Sequence, residues 1–191
     1  MADQTATRTV LLILDMVSTF DFEHGAALHA QALRIAPRIA RLKARIARRG
    51  GQCIYVNDHF GHWQSEFSRI VSLASEGTGA DIVEILRPGA DDLFILKPRH
   101  SAFYQTPLPL LLAKLDARVL VVTGIAAEAC VLVTALEAHM RDYRVVVPVD
   151  CVASAYDARR QAARRVLQAS GLETRGMRSI DRWLAGDREG D

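Results

Sequence analysis

Short apolar runs that alternate with longer segments of helical spacing constrain this chain more than any other feature. Thr9–Leu14 (TVLLIL) is apolar throughout, without the polar alternation of a strand that faces water on one side. Gln52–Asn57, Leu93–Leu96, Arg118–Thr123 and Tyr143–Val149 read the same way, and a last strand is expected near Glu173–Met177. Between them lie helical patterns. From about Ala27 to Arg49, Ile35, Ile39, Leu42 and Ile46 recur at steps of four, three and four, one face of a helix, which Gly50-Gly51 ends. Shorter helices are expected over Pro107–Leu115, Cys130–Arg141, Asp157–Ala169 and Ser179–Leu184, and a loop with one or two short helices from Phe60 to Gly89. Strands buried on both faces and alternating with helices predict a mostly parallel, six-stranded sheet in a three-layer α/β/α, Rossmann-like domain. One domain is expected over residues 1–191, a length that suits a single core.

Composition excludes several classes. Half the residues are hydrophobic and 24% are charged, which removes disorder, collagen and a disulfide-stapled miniprotein. No run approaches the ~20 apolar residues of a membrane helix, and the first ten residues have no basic-then-apolar pattern of a secretory signal. Three widely spaced cysteines, Cys53, Cys130 and Cys151, do not make a disulfide framework, so a reducing cytoplasm is expected. A net charge of +2 argues against a dedicated nucleic-acid binder, and neither a nucleic-acid nor a membrane partner is expected.

In parallel sheets the working site lies beyond the carboxyl ends of the strands, where strand order reverses. Three reactive residues stand at such positions. Asp15 directly follows TVLLIL, Lys97 directly follows LFIL, and Cys130 follows RVLVVT after a short loop and opens a helix. Acid, cation and thiol together make a plausible nucleophilic site. A thiol near ~8.5 is mostly protonated at neutral pH, and a helix amino end and a nearby cation both favour the thiolate. Each residue alone has a plainer reading: Asp15 as a helix cap, Lys97 as a surface charge, Cys130 as a buried structural cysteine. Their joint placement reverses that preference. Lysine is also scarce, three residues against 21 arginines, so a lysine kept at a strand end suggests work a guanidinium does poorly. Phosphatase, nucleophile-elbow and Cys-x-x-Cys patterns are all missing around the cysteines.

Three segments, LLILDMVSTF, LKPRHSAFYQTPL and VVTGIAAEACVLVTALEAHMRDYRVVVPVDCVAS, resemble the isochorismatase-like cysteine hydrolases, which include nicotinamidases and N-carbamoylsarcosine amidohydrolases. The resemblance spans about residues 9–155. It implies that Asp15 is the base, that Lys97 holds the ion pair and that Cys130 attacks a carbonyl, forming a covalent acyl-enzyme. It further implies a cis peptide at Ile125–Ala126, with the amides of Ala126 and Cys130 as oxyanion donors, and a homo-oligomer. The implied activity is hydrolysis of a C–N bond in a small amide, carbamoyl or ureido compound, with no cofactor. The metal-binding relatives carry an Asp-x-His pair after the second strand. Here Phe60 stands two residues after Asp58, which breaks the pair, although Asp58, His59 and His62 could in principle hold zinc. A metal-assisted, nicotinamidase-like reaction through those histidines is therefore an alternative, and no metal is the first expectation.

Candidate walls of a pocket for a small-molecule substrate are Phe20, His59, Trp63 and Tyr104, each on a loop at the same rim. Arg34, Arg38, Arg41, Lys43, Arg45, Arg48 and Arg49 crowd one helix, and Arg159, Arg160, Arg164 and Arg165 another. These runs support a rival class, a catalytically idle nucleic-acid-binding or scaffolding module on the same fold. No interleaved aromatics or reading motif accompany them, so a solvated helix face is the simpler expectation.

Overall fold

The computed structural model describes residues 9–58, 66–177 and 179–180. Six strands form one all-parallel sheet: β1 (Thr9–Leu14), β2 (Gln52–Asp58), β3 (Leu93–Lys97), β4 (Val119–Gly124), β5 (Arg144–Pro148) and β6 (Glu173–Arg175), in the order β3-β2-β1-β4-β5-β6. The helices are α1 (Gly25–Arg48), α2 (Phe67–Glu76), α3 (Ala80–Ile85), α4 (Leu108–Lys114), α5 (Leu132–Met140) and α6 (Asp157–Ala169). The predicted three-layer α/β/α architecture is the one observed. The segment expected to be mostly loop holds α2 and α3, and part of it, 60–65, lies outside the described residues, as do residues 181–184 of the expected last helix.

The apolar runs become strands because each can bury both faces. Leu11 and Ile13 point to one side of β1, with Tyr55 of β2 and Val121 of β4, against Ile35, Ile39, Leu42 and Ile46 of α1. Val10, Leu12 and Leu14 point to the other side, with Ile54, Val56 and Val122, against α4, α5 and α6. Alternate residues thus feed two separate cores, which is why the runs show no polar alternation. Pro37 sits inside α1 on its exposed side. Its ring removes one helical hydrogen bond, a loss that 24 residues with a continuous buried stripe absorb.

The topology sets where chemistry can happen. The chain runs outward from β1 through β2 to β3, then crosses back to lay β4 on the other side of β1. The carboxyl ends of β1 and β4 therefore flank the switch point. Gly124 closes β4 there. Its φ is +109°, and a Cβ at this position would lie 2.1 Å from the Leu14 carbonyl oxygen, so only glycine fits. The backbone on both sides is tied down: Gly124 N donates to Cys151 O at 2.9 Å and Ile125 N to Leu14 O at 3.1 Å.

Ile39 is fully buried between α1 and the sheet. Ile39→Ala is expected to lower unfolding stability by about 2–5 kcal/mol, read from the shift of a urea unfolding midpoint at unchanged slope.

Candidate active site

Asp15 is the first residue past β1. Its φ is +52°, and its amide still donates to Val56 O at 2.9 Å, so the ladder holds the backbone while the side chain turns over the strand ends. Lys97 is the last residue of β3 and lies in register with Asp58, the last of β2. Cys130 lies in a single π-helical turn, Ala127–Val131, that leads into α5. The helix therefore begins three residues before the expected start, and Cys130 is within its first turn rather than at its first position.

These three elements converge. The Lys97 ammonium is 2.9 Å from Asp15 Oδ2 and 3.3 Å from Cys130 Sγ. Asp58 Oδ2 lies 3.9 Å from the same ammonium, and the Asp58 amide donates to Asp15 Oδ1 at 2.8 Å. Lys97 is 1% exposed, Asp15 partly covered and Cys130 half-buried. Burial works against the Lys97 charge, but Asp15, Cys130 and Asp58 more than offset it, and the ammonium is held more firmly protonated than usual. The Cys130 thiol is pushed up to about 12, first by burial and then by the Asp15 carboxylate, with which it shares a hydrogen bond; Lys97 pulls the other way and loses. The expected preference for thiolate is thus not the resting condition. Desolvation outweighs the cation, and the sulfur at rest carries its proton beside a carboxylate placed to take it.

The remaining candidates separate. The Ile125–Ala126 peptide is cis, directly before the π turn. Phe20 is buried in the core on the α1 side, its ring 5.1 Å from His29 in an edge-on contact. Tyr104 is exposed on the loop after β3. His59, His62 and Trp63 lie outside the described residues. Cys53 and Cys151 are buried and unpaired, and burial raises both thiols, Cys151 to about 12 with Asp150 adding to the effect. Sequence reasoning missed His100, whose Nδ1 lies 3.8 Å from Cys130 Sγ. The only sequence signal was its place three residues after Lys97, in a segment already singled out. It also missed Asp58 as a partner of Lys97, having weighed it only as a metal ligand.

The sequence profile of the isochorismatase domain matches residues 9–178. The chain belongs to the isochorismatase family. It is 41% identical over 147 residues to the uncharacterized isochorismatase family protein YaaI of Bacillus subtilis, covering 77% of this chain and 81% of that one. It is 35% identical over 104 residues to the ureidoacrylate amidohydrolase RutB of Methylorubrum extorquens, 54% of this chain but only 38% of that protein. An isochorismatase family protein from Desulfovibrio vulgaris has the same fold, with a TM-score of 0.75 at 26% identity over 94% of this chain and 99% of that one. The nicotinamidase of Staphylococcus aureus superposes with a TM-score of 0.66 at 21% identity over 90% and 99%, a likeness of fold. The protein is an isochorismatase-family hydrolase, and no helix among the described residues is long and apolar enough to cross a membrane.

In the folded protein iodoacetamide is expected to label Cys130 ahead of the buried Cys53 and Cys151. The labelling rate should keep climbing above about pH 9 rather than level off near neutrality, because the thiol is raised. Peptide mass mapping across a pH series checks both; a plateau near pH 7 would contradict the resting thiol.

Proposed function

We propose that this protein is a cysteine-dependent hydrolase of small amide, carbamoyl or ureido compounds. What supports the reading is one set of contacts: the Cys130 sulfur 3.3 Å from an ammonium that is itself 2.9 Å from Asp15. Asp15 takes the thiol proton as the sulfur attacks the substrate carbonyl. Lys97 keeps the carboxylate ionised beforehand and steadies the thiolate as it forms. Negative charge then develops on the substrate oxygen, for which the amides of Ala126 and Cys130 are the proposed donors. Asp15 passes its proton to the nitrogen, the C–N bond breaks and an amine or ammonia leaves. An acyl group remains on sulfur as a thioester, which water hydrolyses.

The presence of the thiol distinguishes C–N hydrolysis from vinyl-ether cleavage, for which a cysteine nucleophile has no use. The name of the relative RutB, an amidohydrolase acting on a ureido compound, lends the substrate class its support. Residence in the cytoplasm is proposed from three free cysteines, and a homo-oligomer from the resemblance.

A panel of small amides, carbamates and ureides, assayed for ammonia release, tests the reading. Cys130→Ala is expected to lower turnover of any active member by more than about 10³-fold while leaving the unfolding midpoint nearly unchanged. Full activity in that variant would reject the mechanism.

A further inference from the structure

One group beside the sulfur has no part in the reaction so far. His100 is exposed and brings Nδ1 to 3.8 Å from Cys130 Sγ. Its backbone is anchored to the helix that follows the cysteine. Ser101 donates its hydroxyl to the Glu137 carboxylate of α5, the Ala102 amide donates to Thr134 Oγ1 at 3.0 Å, and the Phe103 amide donates to Ser101 Oγ at 3.1 Å. The imidazole and the thiol are therefore carried by one braced unit.

Asp15 stands differently. Its Oδ1 accepts the Asp58 amide, its Oδ2 faces the Lys97 ammonium, and its side chain is 13% exposed. Once an amine has left, water has to reach the acyl carbon from the solvent side and shed a proton as it attacks. At the sulfur, the exposed group able to accept that proton is His100, and histidine is the side chain that exchanges protons near neutral pH.

We propose that His100 is the catalytic base of the hydrolytic half-reaction and returns a proton to the Cys130 sulfur. The inference rests on the cysteine-hydrolase reading and divides the work: Asp15 serves acylation, His100 deacylation. Water oxygen bonds to the thioester carbon while one of its protons moves to an imidazole nitrogen. The tetrahedral intermediate collapses, the C–S bond breaks and its electron pair stays on sulfur. The neighbouring imidazolium gives its proton to that thiolate. The products are the free acid, the Cys130 thiol and neutral His100, so atoms and charge balance with no further reactant.

p-Nitrophenyl acetate, an activated ester that acylates reactive thiols, separates the two halves. Wild-type protein is expected to release a stoichiometric burst of p-nitrophenolate followed by steady turnover. His100→Gln keeps a polar side chain that cannot take up a proton. It should give the same burst, a steady rate lower by about 10²-fold or more, and acetylated Cys130 accumulating in the intact mass spectrum. A steady rate equal to that of the wild type overturns the role of His100 and leaves the cysteine reading standing. Loss of burst and steady rate together, in both His100→Gln and His100→Asn with unchanged unfolding midpoints, places His100 in acylation and also overturns it. Absence of any burst or acetyl-cysteine in the wild type removes the cysteine reading and this inference with it.

Discussion

Lys97 carries its ammonium into an interior almost closed to solvent, where an unanswered charge costs several kcal/mol, and the layout of the strand ends follows from how that charge is answered. Two carboxylates and a sulfur surround it, supplied by β1, β2 and the turn after β4. None of the three satisfies the ammonium alone: Asp58 is 3.9 Å away and the sulfur is a weak acceptor. The ion pair with Asp15 is the short contact, and Asp15 is in turn held by the Asp58 amide. A single buried cation therefore ties three strand ends together, and the same contacts place a nucleophile beside a proton acceptor. The fold has to close correctly around Lys97 before any chemistry is possible.

The raised thiol follows from the same burial. A cation beside a cysteine favours the thiolate in water, but here the cation's charge is already matched by Asp15, which also repels a second negative charge on sulfur. The net field at Cys130 is close to neutral, so desolvation decides. A sulfur protonated at rest and deprotonated only as substrate binds is a nucleophile activated by a base, not a standing thiolate. Such a thiol is also less open to oxidation, which suits a half-buried position facing a cleft.

Much of this was legible in the sequence, for reasons that differ by residue. The strands could be read because burial on both faces leaves uninterrupted apolar runs; Thr9–Leu14 and Asp157–Ala169 have the bounds that spacing predicts. Asp15 and Lys97 could be read because a charge directly after such a run has to be paired. The π turn could not, since one extra residue in a turn leaves no trace in periodicity. Phe20 was expected at a pocket wall from its place after β1. A left-handed backbone there, with φ of +56°, turns its ring into the core instead, and no side-chain pattern announces such a turn. His100 escaped notice because its role depends on distance to a residue thirty positions away, which spacing along the chain does not encode.

The arginine-rich helices find much of their explanation in local pairing. On α6, Arg160 donates through Nε and Nη2 to Asp157 one turn back, and Arg159 lies 4.9 Å over the Tyr156 ring and 3.8 Å from Glu128. On α1, Lys43 pairs with Asp92 and reaches the Tyr55 hydroxyl, while Arg38 reaches the Asp150 carbonyl at 3.4 Å. A surface built to hold a polyanion keeps its cations free of such carboxylates and lines them along one track. Here several of the cations are committed to acids, rings and carbonyls within the protein. Arg159 and Glu128 join α6 to the turn that carries Cys130, so part of the basic run braces the site rather than competing with it as a function.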